Sequence, residues 1–390
     1  MRGQSLRVGI DACNIRRGGG LTHLIQLLQA ADPVAAGIDQ VDVWSRDEVL
    51  ARLPDRSWLH KRHEAALDGS LPRRMAWQQV SLPSALRRER CDVLFAPAGL
   101  LPVRAGVPTV TMSRNMLPFE PAETARFGRF SPLWWKMRML RFGQVRSMRR
   151  ADGLIFLTDY ARTHVTAALG EGVRNVRTIP HGLAERFFLP PRPAVPVAAL
   201  SETRPFRLLY VSTVDMYKHQ WNVVRAAGEL RRAGVPVQLD LVGSSVPAAL
   251  AMLKDAMAKV DSAETFVRYH DSVPFEELHR RYQEADAFVF ASSCENLPNI
   301  MLEAMAAGLP IASSDKGPMP EVLGEAGVYF DPLDVRSIAD AIRALVEDPD
   351  LRARLAGEAH ARARSYSWTR CAEDTFAFVV ETARRHARIA

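Results

Sequence analysis

The sequence predicts an α/β protein of two domains, each with a parallel sheet covered by helices on both faces. Short continuous apolar runs alternate with longer stretches of helical periodicity along most of the chain. Such runs are typical of strands in parallel sheets, because helices bury both faces of the sheet. A length of 390 residues suits two domains better than one.

The strand-like runs fall into two groups of six. Those of the first half are LRVGIDA (6–12), VDVW (41–44), DVLFAP (92–97), PTVTM (108–112), GLIFLT (153–158) and VRTIP (176–180). Those of the second half are RLLYVS (207–212), VQLDLVG (237–243), FVRY (266–269), AFVFA (287–291), PIAS (310–313) and GVYF (327–330). Because helical stretches lie between most of these runs, each group predicts one parallel sheet.

The boundary between the domains is predicted at LPPRPAVPVAALSETRP (189–205), a linker with five prolines and little periodicity. The domains then cover residues 1–188 and 206–365. The closing segment, 366–390, forms a helix from about Thr369 that can pack on either domain, including by crossing back to the N-terminal one. In such proteins, ligands bind at the carboxyl ends of the strands, facing the cleft.

Composition limits the kind of partner. With 47% hydrophobic and 24% charged residues the chain is typical of a globular protein. Its net charge of +7 favours an anionic partner: phosphates, nucleic acid or a lipid surface. Four cysteines without a C-x-x-C pair argue against a disulfide framework or a zinc site and fit a reducing cytosol. We expect neither a signal peptide nor a membrane span, and hence a cytoplasmic protein.

Two glutamates, Glu295 and Glu303, stand eight residues apart in SSCENLPNIMLEAMAAGLPIAS (292–313). The turn that carries Glu295 follows an apolar run, and a helix begins near Pro298, since proline is tolerated at a first helical position. Glu303 lies beside the apolar face of that helix. Its side chain is therefore predicted to point inward and to lean toward the helix start.

A buried carboxylate needs hydrogen-bond donors, because burying an unpaired charge is costly. A ribose diol supplies two hydroxyls to Glu303, and the free N–H groups of a helix start suit a diphosphate. Glu295 would then face whatever is attached beyond the phosphates. The competing interpretation makes Glu303 a helix-surface residue and Glu295 a turn residue. The preceding strand, the proline start and the Gly-Leu-Pro stop (308–310) count against it.

The segment SSCENLPNIMLEAMAAGLPIASSDKGPMPEVLGEAGVYFDPLD (292–334) resembles the donor-site signature of the group 1 (GT4) glycosyltransferases. Further similar segments are ADGLIFLTDYARTHV (151–165), VRTIPHGLAERFF (176–188), YVSTVDMYKHQWNVVRAA (210–227) and YSWTRCAEDT (366–375). The resemblance implies a GT-B fold, in which two Rossmann-like α/β/α domains turn their parallel sheets toward a central cleft. It also implies transfer of a sugar from a nucleotide-diphospho-sugar to a hydroxyl, with retained anomeric configuration and no required metal or other cofactor.

The resemblance assigns roles to individual positions. Glu303 would hold the ribose and Glu295 would orient the donor sugar. Lys218 and the N–H groups around Leu297–Asn299 would stabilise the leaving diphosphate. Thr213 stands where the family usually has a second cation, so phosphate binding is weaker here or another cation serves. Glu295 and Lys218 are thus predicted to be catalytic, and the donor-binding set is Glu303, Asn296, Leu297, Pro298, Asn299, Thr213, Gly19 and Gly20.

The first half supplies the two glycines of the donor-binding set and three further residues, Arg114, Asn115 and His181, which are acceptor-side or uncertain. The glycines at 18–20 match the family's glycine-rich loop, although consecutive glycines also make a flexible turn. Arg114 and Asn115 follow the fourth predicted strand, where the family often has a histidine. Arg114 either binds a phosphate or sugar hydroxyl or is an ordinary loop cation. His181 is interpreted as a turn residue first and a ligand contact second.

Acidic residues outside the pair have structural interpretations. Asp315 and Glu321 border the predicted site, but Glu321 is also a favourable carboxylate in a first helical turn. The D-x-D at Asp348-Pro349-Asp350 is the metal-binding pattern of glycosyltransferases with the other fold. Because it lies between two helical patterns, we expect a cap and turn there, and no metal site.

The stretch RFGRFSPLWWKMRMLRFGQVRSMRR (126–150) holds eight Lys or Arg and no acidic residue. Basic residues interleaved with aromatics favour contact with an anionic membrane surface. The predicted contact residues are Trp134, Trp135, Lys136, Arg138 and Arg141. The alternative is a helix packed on the sheet with a solvated basic face. Nucleic acid is disfavoured, since no recognition motif accompanies the charge. Contact with the inner face of the cytoplasmic membrane would suit a lipid-linked or surface-polysaccharide acceptor.

Two other functions stay open at this point. A nucleotide-sugar 2-epimerase of GT-B fold would act without an acceptor and would not need the glutamate pair in this arrangement. A non-catalytic nucleotide-sugar-binding protein is motivated by Thr213 and Arg114, and it would bind the donor without turnover.

Overall fold

The computed structural model describes residues 5–16, 18–173, 175–274 and 276–387, which form two units. The first unit contains the described residues of Met1–Phe119, Trp135–Gly182 and Tyr366–Ala390, and the second contains Glu120–Trp134 and Leu183–Ser365. This division differs from the predicted domain bounds in two segments, 120–134 and 183–205, both of which belong to the second unit. Contacts explain part of the difference, because Leu189 donates its N–H to the Ala306 carbonyl at 3.0 Å.

Parallel strands and helices alternate along the chain. The strands are β1 (Leu6–Asp11), β2 (Ile38–Ser45), β3 (Leu59–His63), β4 (Val93–Ala96), β5 (Thr109–Met112), β6 (Gly153–Phe156), β7 (Val176–Thr178), β8 (Phe206–Val211), β9 (Val237–Val242), β10 (Val267–His270), β11 (Ala287–Phe290), β12 (Ile311–Ser314) and β13 (Val328–Phe330). The helices are α1 (Gly19–Ala30), α2 (Asp47–Leu50), α3 (Leu71–Val80), α4 (Leu82–Arg88), α5 (Pro121–Ala125), α6 (Pro132–Met148), α7 (Asp159–Leu169), α8 (Gln220–Arg232), α9 (Pro247–Val260), α10 (Leu278–Glu284), α11 (Asn299–Ala306), α12 (Met319–Leu323), α13 (Val335–Glu347), α14 (Pro349–Ala363) and α15 (Trp368–Ala387).

Each unit is built on one parallel sheet. The first sheet has the order β3-β2-β1-β4-β5-β6-β7 and the second has the order β10-β9-β8-β11-β12-β13. Every residue of β4, β5, β6, β11 and β12 is buried, which explains the continuous apolar sequences of β4, β6 and β11. The prediction of two Rossmann-like α/β domains is confirmed, and each of the twelve predicted runs overlaps a strand.

The sequence analysis missed β3, an edge strand of the first sheet. Its sequence is LHKRH, and Leu59 is its one fully buried residue. A half-exposed edge strand needs no continuous apolar run, so the pattern that found the other strands is absent here.

The fold places a switch point in each sheet. In the second unit, β8 lies between β9 and β11, so the connections after β8 and β11 diverge to opposite sides of the sheet. The crevice at the carboxyl ends of two such strands is where ligands bind in open parallel sheets. In the first unit, β1 and β4 hold the corresponding position.

Candidate functional site

Two loops at the switch point of the second sheet carry the predicted catalytic residues. Loop 212–219 follows β8, and loop 291–298 follows β11. The Ser293 N–H donates to the Tyr217 carbonyl at 2.8 Å, and the Ser293 hydroxyl lies 2.8 Å from His219 Nε2. These hydrogen bonds hold the loops together, so residues 77 positions apart in sequence meet.

Lys218 and Glu295 form an ion pair across these loops. The side chains are only 9% and 16% exposed, so their attraction is weakly screened by water. The Lys218 ammonium also lies 5.3 Å from the centre of the Phe290 ring and 5.1 Å from that of Tyr217. The sequence predicts separate roles for these two residues, whereas the structure pairs them. A diphosphate that binds Lys218 must therefore compete with Glu295.

This pairing predicts an unusual effect of Glu295→Gln. Losing the carboxylate frees Lys218 and removes a negative charge that repels a diphosphate. We expect a nucleoside diphosphate to bind about tenfold more tightly, which corresponds to roughly 1.4 kcal/mol. Isothermal titration calorimetry measures this effect. The control is Glu347→Gln, which removes an exposed partner of Arg343 in the same unit. Equal or weaker binding by Glu295→Gln would contradict the proposed competition.

Glu303 lies on α11 with its carboxylate inside the second unit. The residue is 7% exposed and accepts a hydrogen bond from the Tyr282 hydroxyl at 3.0 Å. Burial raises the pKa of Glu303 to about 7, although the Tyr282 hydrogen bond and the charge of Arg186 act in the opposite direction. The carboxylate points inward, as expected from its place beside the apolar face. It already has a protein donor, and it exchanges its proton near neutral pH.

The start of α11 offers fewer N–H groups than expected. Pro298, which precedes the helix, has no N–H, and the Asn299 N–H donates to the Leu297 carbonyl at 2.9 Å. Of the three backbone positions 297–299, only Leu297 therefore has an N–H that can donate to a diphosphate. Asn296 and Leu297 are buried, and the Asn299 side-chain oxygen lacks a hydrogen-bond partner in the described part of the chain. Of the backbone N–H groups expected to bind a diphosphate around Leu297–Asn299, that of Leu297 remains, together with the polar side chains beside it.

The remaining residues predicted in the second half are exposed. Thr213 is exposed, with its hydroxyl 3.5 Å from that of Ser244. Asp315 forms an ion pair with Lys316 at 3.0 Å. Asp348 accepts a hydrogen bond from the Leu351 N–H at 2.8 Å and caps α14, as the sequence predicts for the D-x-D. Glu321 lies on the short helix α12, in its first turn.

In the first unit, Arg114 lies against the start of α1. Its Nη1 donates to the Gly20 carbonyl at 3.3 Å, and a side chain at Gly19 or Gly20 would contact the guanidinium. Burial lowers the pKa of Arg114 to about 10. The helix begins at Gly19, so two of the three glycines lie in its first turn. Asn115 accepts a hydrogen bond from the Leu117 N–H at 3.1 Å, so its side chain stabilises a local turn.

His181 is buried in an aromatic stack of the first unit. Its ring centre lies 4.6 Å from that of His23 and 5.5 Å from that of Trp368. Gly182, the next residue, has no room for a side chain, because a Cβ there would lie 2.1 Å from the backbone nitrogen of Trp368. Packing at the start of α15 therefore accounts for the His181-Gly182 pair.

Two residues that contact the predicted site residues, Tyr282 and His219, are not predicted from the sequence. Tyr282 lies on α10, ahead of β11, and no motif marks it as the donor to Glu303. His219 adopts φ 51°, a left-handed conformation that non-glycine residues adopt infrequently and that is enriched at functional sites. Burial, with a smaller effect of Arg126, lowers the pKa of His219 to about 4, so the ring is neutral at pH 7. The one feature of the sequence that points to His219 is its position next to Lys218.

Two families match the chain in succession. The family described as Glycosyltransferase Family 4 matches residues 17–186, and the family described as Glycosyl transferases group 1 matches residues 205–348. Both loops of the candidate site fall within the second match.

Curated relatives match parts of the chain. A glycogen synthase of Mycobacterium tuberculosis is 30% identical over 233 residues, which cover 58% of this chain and 54% of the relative. An O-antigen chain mannosyltransferase B of Escherichia coli is 36% identical over 112 residues, 29% of each chain. The chain thus spans about half the length of the first relative and less of the second.

Solved structures share the fold at low sequence identity. Sucrose-phosphate synthase from Thermosynechococcus elongatus has a TM-score of 0.71 at 18% identity and covers 99% of this chain, which covers 100% of it. Anabaena HepE in complex with UDP-glucose has a TM-score of 0.69 at 15% identity, and the match covers 95% of this chain and 99% of HepE. The expected GT-B fold is confirmed. The two family matches, which together span most of the chain, show that it belongs to the group 1 (GT4) glycosyltransferases.

Proposed function

We propose that this protein is a retaining glycosyltransferase that moves a hexose from a nucleotide-diphospho-sugar to a hydroxyl of a saccharide acceptor. The observation that carries the proposal is the sheltered Lys218–Glu295 pair at the switch point of the second sheet, with the inward-pointing Glu303 on the helix that follows the Glu295 loop. These groups suit the three parts of such a donor: the diphosphate, the sugar and the ribose. The UDP-glucose bound by HepE makes UDP-glucose the first donor to test.

In the proposed mechanism, the donor's diphosphate displaces Glu295 from Lys218. Lys218 and the Leu297 N–H then stabilise charge on the diphosphate as the bond from C1 of the sugar to the phosphate oxygen breaks. The released Glu295 accepts hydrogen bonds from sugar hydroxyls and orients the ring. The acceptor oxygen forms the new bond to C1 on the leaving-group face, and its proton passes to the departing diphosphate. A lysine supplies the positive charge in this scheme, so we propose that no metal ion is required.

A transfer assay tests this proposal. Purified protein is incubated with UDP-glucose and other nucleotide-sugars, with EDTA and with lipid-linked or free saccharide acceptors. We expect acceptor-dependent release of the nucleoside diphosphate, unaffected by EDTA, and the anomeric configuration of the donor in the product by NMR. Conversion of the donor sugar without an acceptor would instead support an epimerase. Donor binding without turnover on any acceptor would support a binding protein.

We further propose that the acceptor is reached at a membrane surface through α6. Trp135, Met139 and Phe142 have helical i, i+4, i+7 spacing and are 52%, 65% and 65% exposed. Lys136 and Arg138 are exposed beside them, whereas Trp134 and Arg141 are half-buried. An exposed apolar face flanked by cations fits an anionic lipid surface, which gains from both. Among the described residues, no helix is long and apolar enough to span a bilayer.

Vesicle sedimentation tests the contact. We expect binding to vesicles containing phosphatidylglycerol but weak binding to pure phosphatidylcholine. The triple variant Trp135→Ser, Met139→Ser and Phe142→Ser should lose most of this binding. Val80→Ser is the control, because Val80 is a 74% exposed apolar residue on another helix of the first unit. Unchanged binding by the triple variant would show that α6 is a solvated helix.

A further inference from the structure

The first unit contains a group of arginines that the donor chemistry does not use. Arg16 lies in the loop after β1, Arg46 directly follows β2, and Arg74 lies on α3. β1 and β2 are neighbouring strands, and the Ser45 hydroxyl donates to the Ala12 carbonyl at 3.1 Å. The loops after these two strands therefore lie side by side.

Contacts bring α3 to the same place. The Asn14 amide of the first loop lies 3.6 Å from the sulfur of Met75, the neighbour of Arg74. Arg74 donates from Nη1 to the Gly69 carbonyl at 2.7 Å. Arg74 is only 3% exposed, so its side chain is covered by protein at this edge of the sheet.

The group lacks matching negative charge. Arg46 lies 4.0 Å from Asp68, whose other carboxylate oxygen is 2.5 Å from His63. Within the described residues, neither Arg16 nor Arg74 forms an ion pair, and the Nε atoms of Arg46 and Arg74 are buried without a hydrogen-bond partner. Burial, and then repulsion from Arg16 and Arg46, lower the pKa of Arg74. A buried cation without a counter-charge is destabilising.

We propose that Arg16, Arg46 and Arg74 form a binding site for an oxyanion carried by the sugar acceptor, either a phosphate or a carboxylate. The site lies beyond the carboxyl ends of β1 and β2, at the ligand-binding edge of a parallel sheet. Guanidinium groups bind phosphates and carboxylates with paired hydrogen bonds, and the oxyanion supplies the missing charge. The inference rests on the proposed transferase function. It narrows the acceptor to an anionic one: a lipid diphosphate, a phosphosugar or a uronic acid.

Calorimetry with three probes tests the site: pyrophosphate, glucose 6-phosphate and glucuronate, at matched ionic strength. Arg16→Gln and Arg74→Gln should each weaken binding of the preferred probe at least tenfold. Arg16 is exposed and makes no hydrogen bond or ion pair in the described part of the chain, so Arg16→Gln should fold normally. Arg104→Gln is the matched control, since it removes an exposed, similarly unpaired arginine of the same unit.

The preferred probe identifies the kind of oxyanion that the site binds. Preference for pyrophosphate indicates a lipid diphosphate, preference for glucose 6-phosphate a phosphosugar, and preference for glucuronate a uronic acid. The proposal is overturned if no probe binds the wild type, if Arg16→Gln and Arg74→Gln bind like Arg104→Gln, or if only Lys218→Gln abolishes binding. Failure of the donor-site proposal shows separately, because nucleotide binding should depend on Glu303 and persist in both arginine variants.

Discussion

Lys218→Gln is expected to lower the rate of sugar transfer by about 10²–10³-fold, the typical effect of removing one group that stabilises charge in a transition state. The leaving diphosphate loses its cation. The substitution also leaves the Glu295 carboxylate, which is 16% exposed, without its ion-pair partner. Some loss of stability should therefore accompany the loss of rate. Initial rates with saturating donor and acceptor, together with urea unfolding, measure both effects.

The double variant Lys218→Gln, Glu295→Gln separates stability from catalysis. It removes both charges, so it should regain stability relative to Lys218→Gln without regaining activity. Lys316→Gln is a second control, because Lys316 is an exposed lysine near the site that forms ion pairs with Asp315 and Asp331. A Lys218→Gln enzyme that keeps wild-type turnover would remove Lys218 from the mechanism.

Glu303→Gln should abolish a pH dependence of stability in the second unit. The pKa of Glu303 is raised from 4.5 to about 7, so the folded protein binds this proton more tightly than the unfolded chain. The resulting stability is complete below pH 4.5 and is lost as the pH rises through about 7. A shift of this size corresponds to about 3 kcal/mol. Glutamine keeps an acceptor for Tyr282 but does not ionise.

Urea unfolding across this pH range tests the expectation. The wild type should lose about 3 kcal/mol relative to Glu303→Gln as the pH rises. Glu284→Gln, which removes an exposed carboxylate of the same unit, should follow the wild type. Parallel curves for the wild type and Glu303→Gln would show that burial does not perturb Glu303.

The sequence predicts the fold well because buried parallel strands leave a direct signature. All of β4, β6 and β11 is buried, and each appears as a continuous apolar run. The edge strand β3 leaves no such pattern. The inward direction of Glu303 also follows from local periodicity, since it depends only on the neighbours within one helix.

Contacts between distant segments could not be predicted in the same way. Lys218 and Glu295 were each identified, but their pairing depends on β8 and β11 being neighbours in the sheet. The Tyr282 hydroxyl reaches Glu303 from another helix. The arginines of the first unit are separated by 30 and 28 positions along the chain, and only the fold brings them together.

Nucleotide binding by the wild type and Glu303→Ala tests the central claim, a nucleotide-sugar donor site on the second unit, most directly. Thermal unfolding is measured with UDP, GDP, ADP and dTDP and with their common sugar conjugates. A ligand at about 100 times its dissociation constant should add roughly 2.7 kcal/mol to the unit that binds it. The account predicts stabilisation by the nucleotides of one base, lost in Glu303→Ala. Absence of any shift in the wild type, or an equal shift in Glu303→Ala, would contradict it.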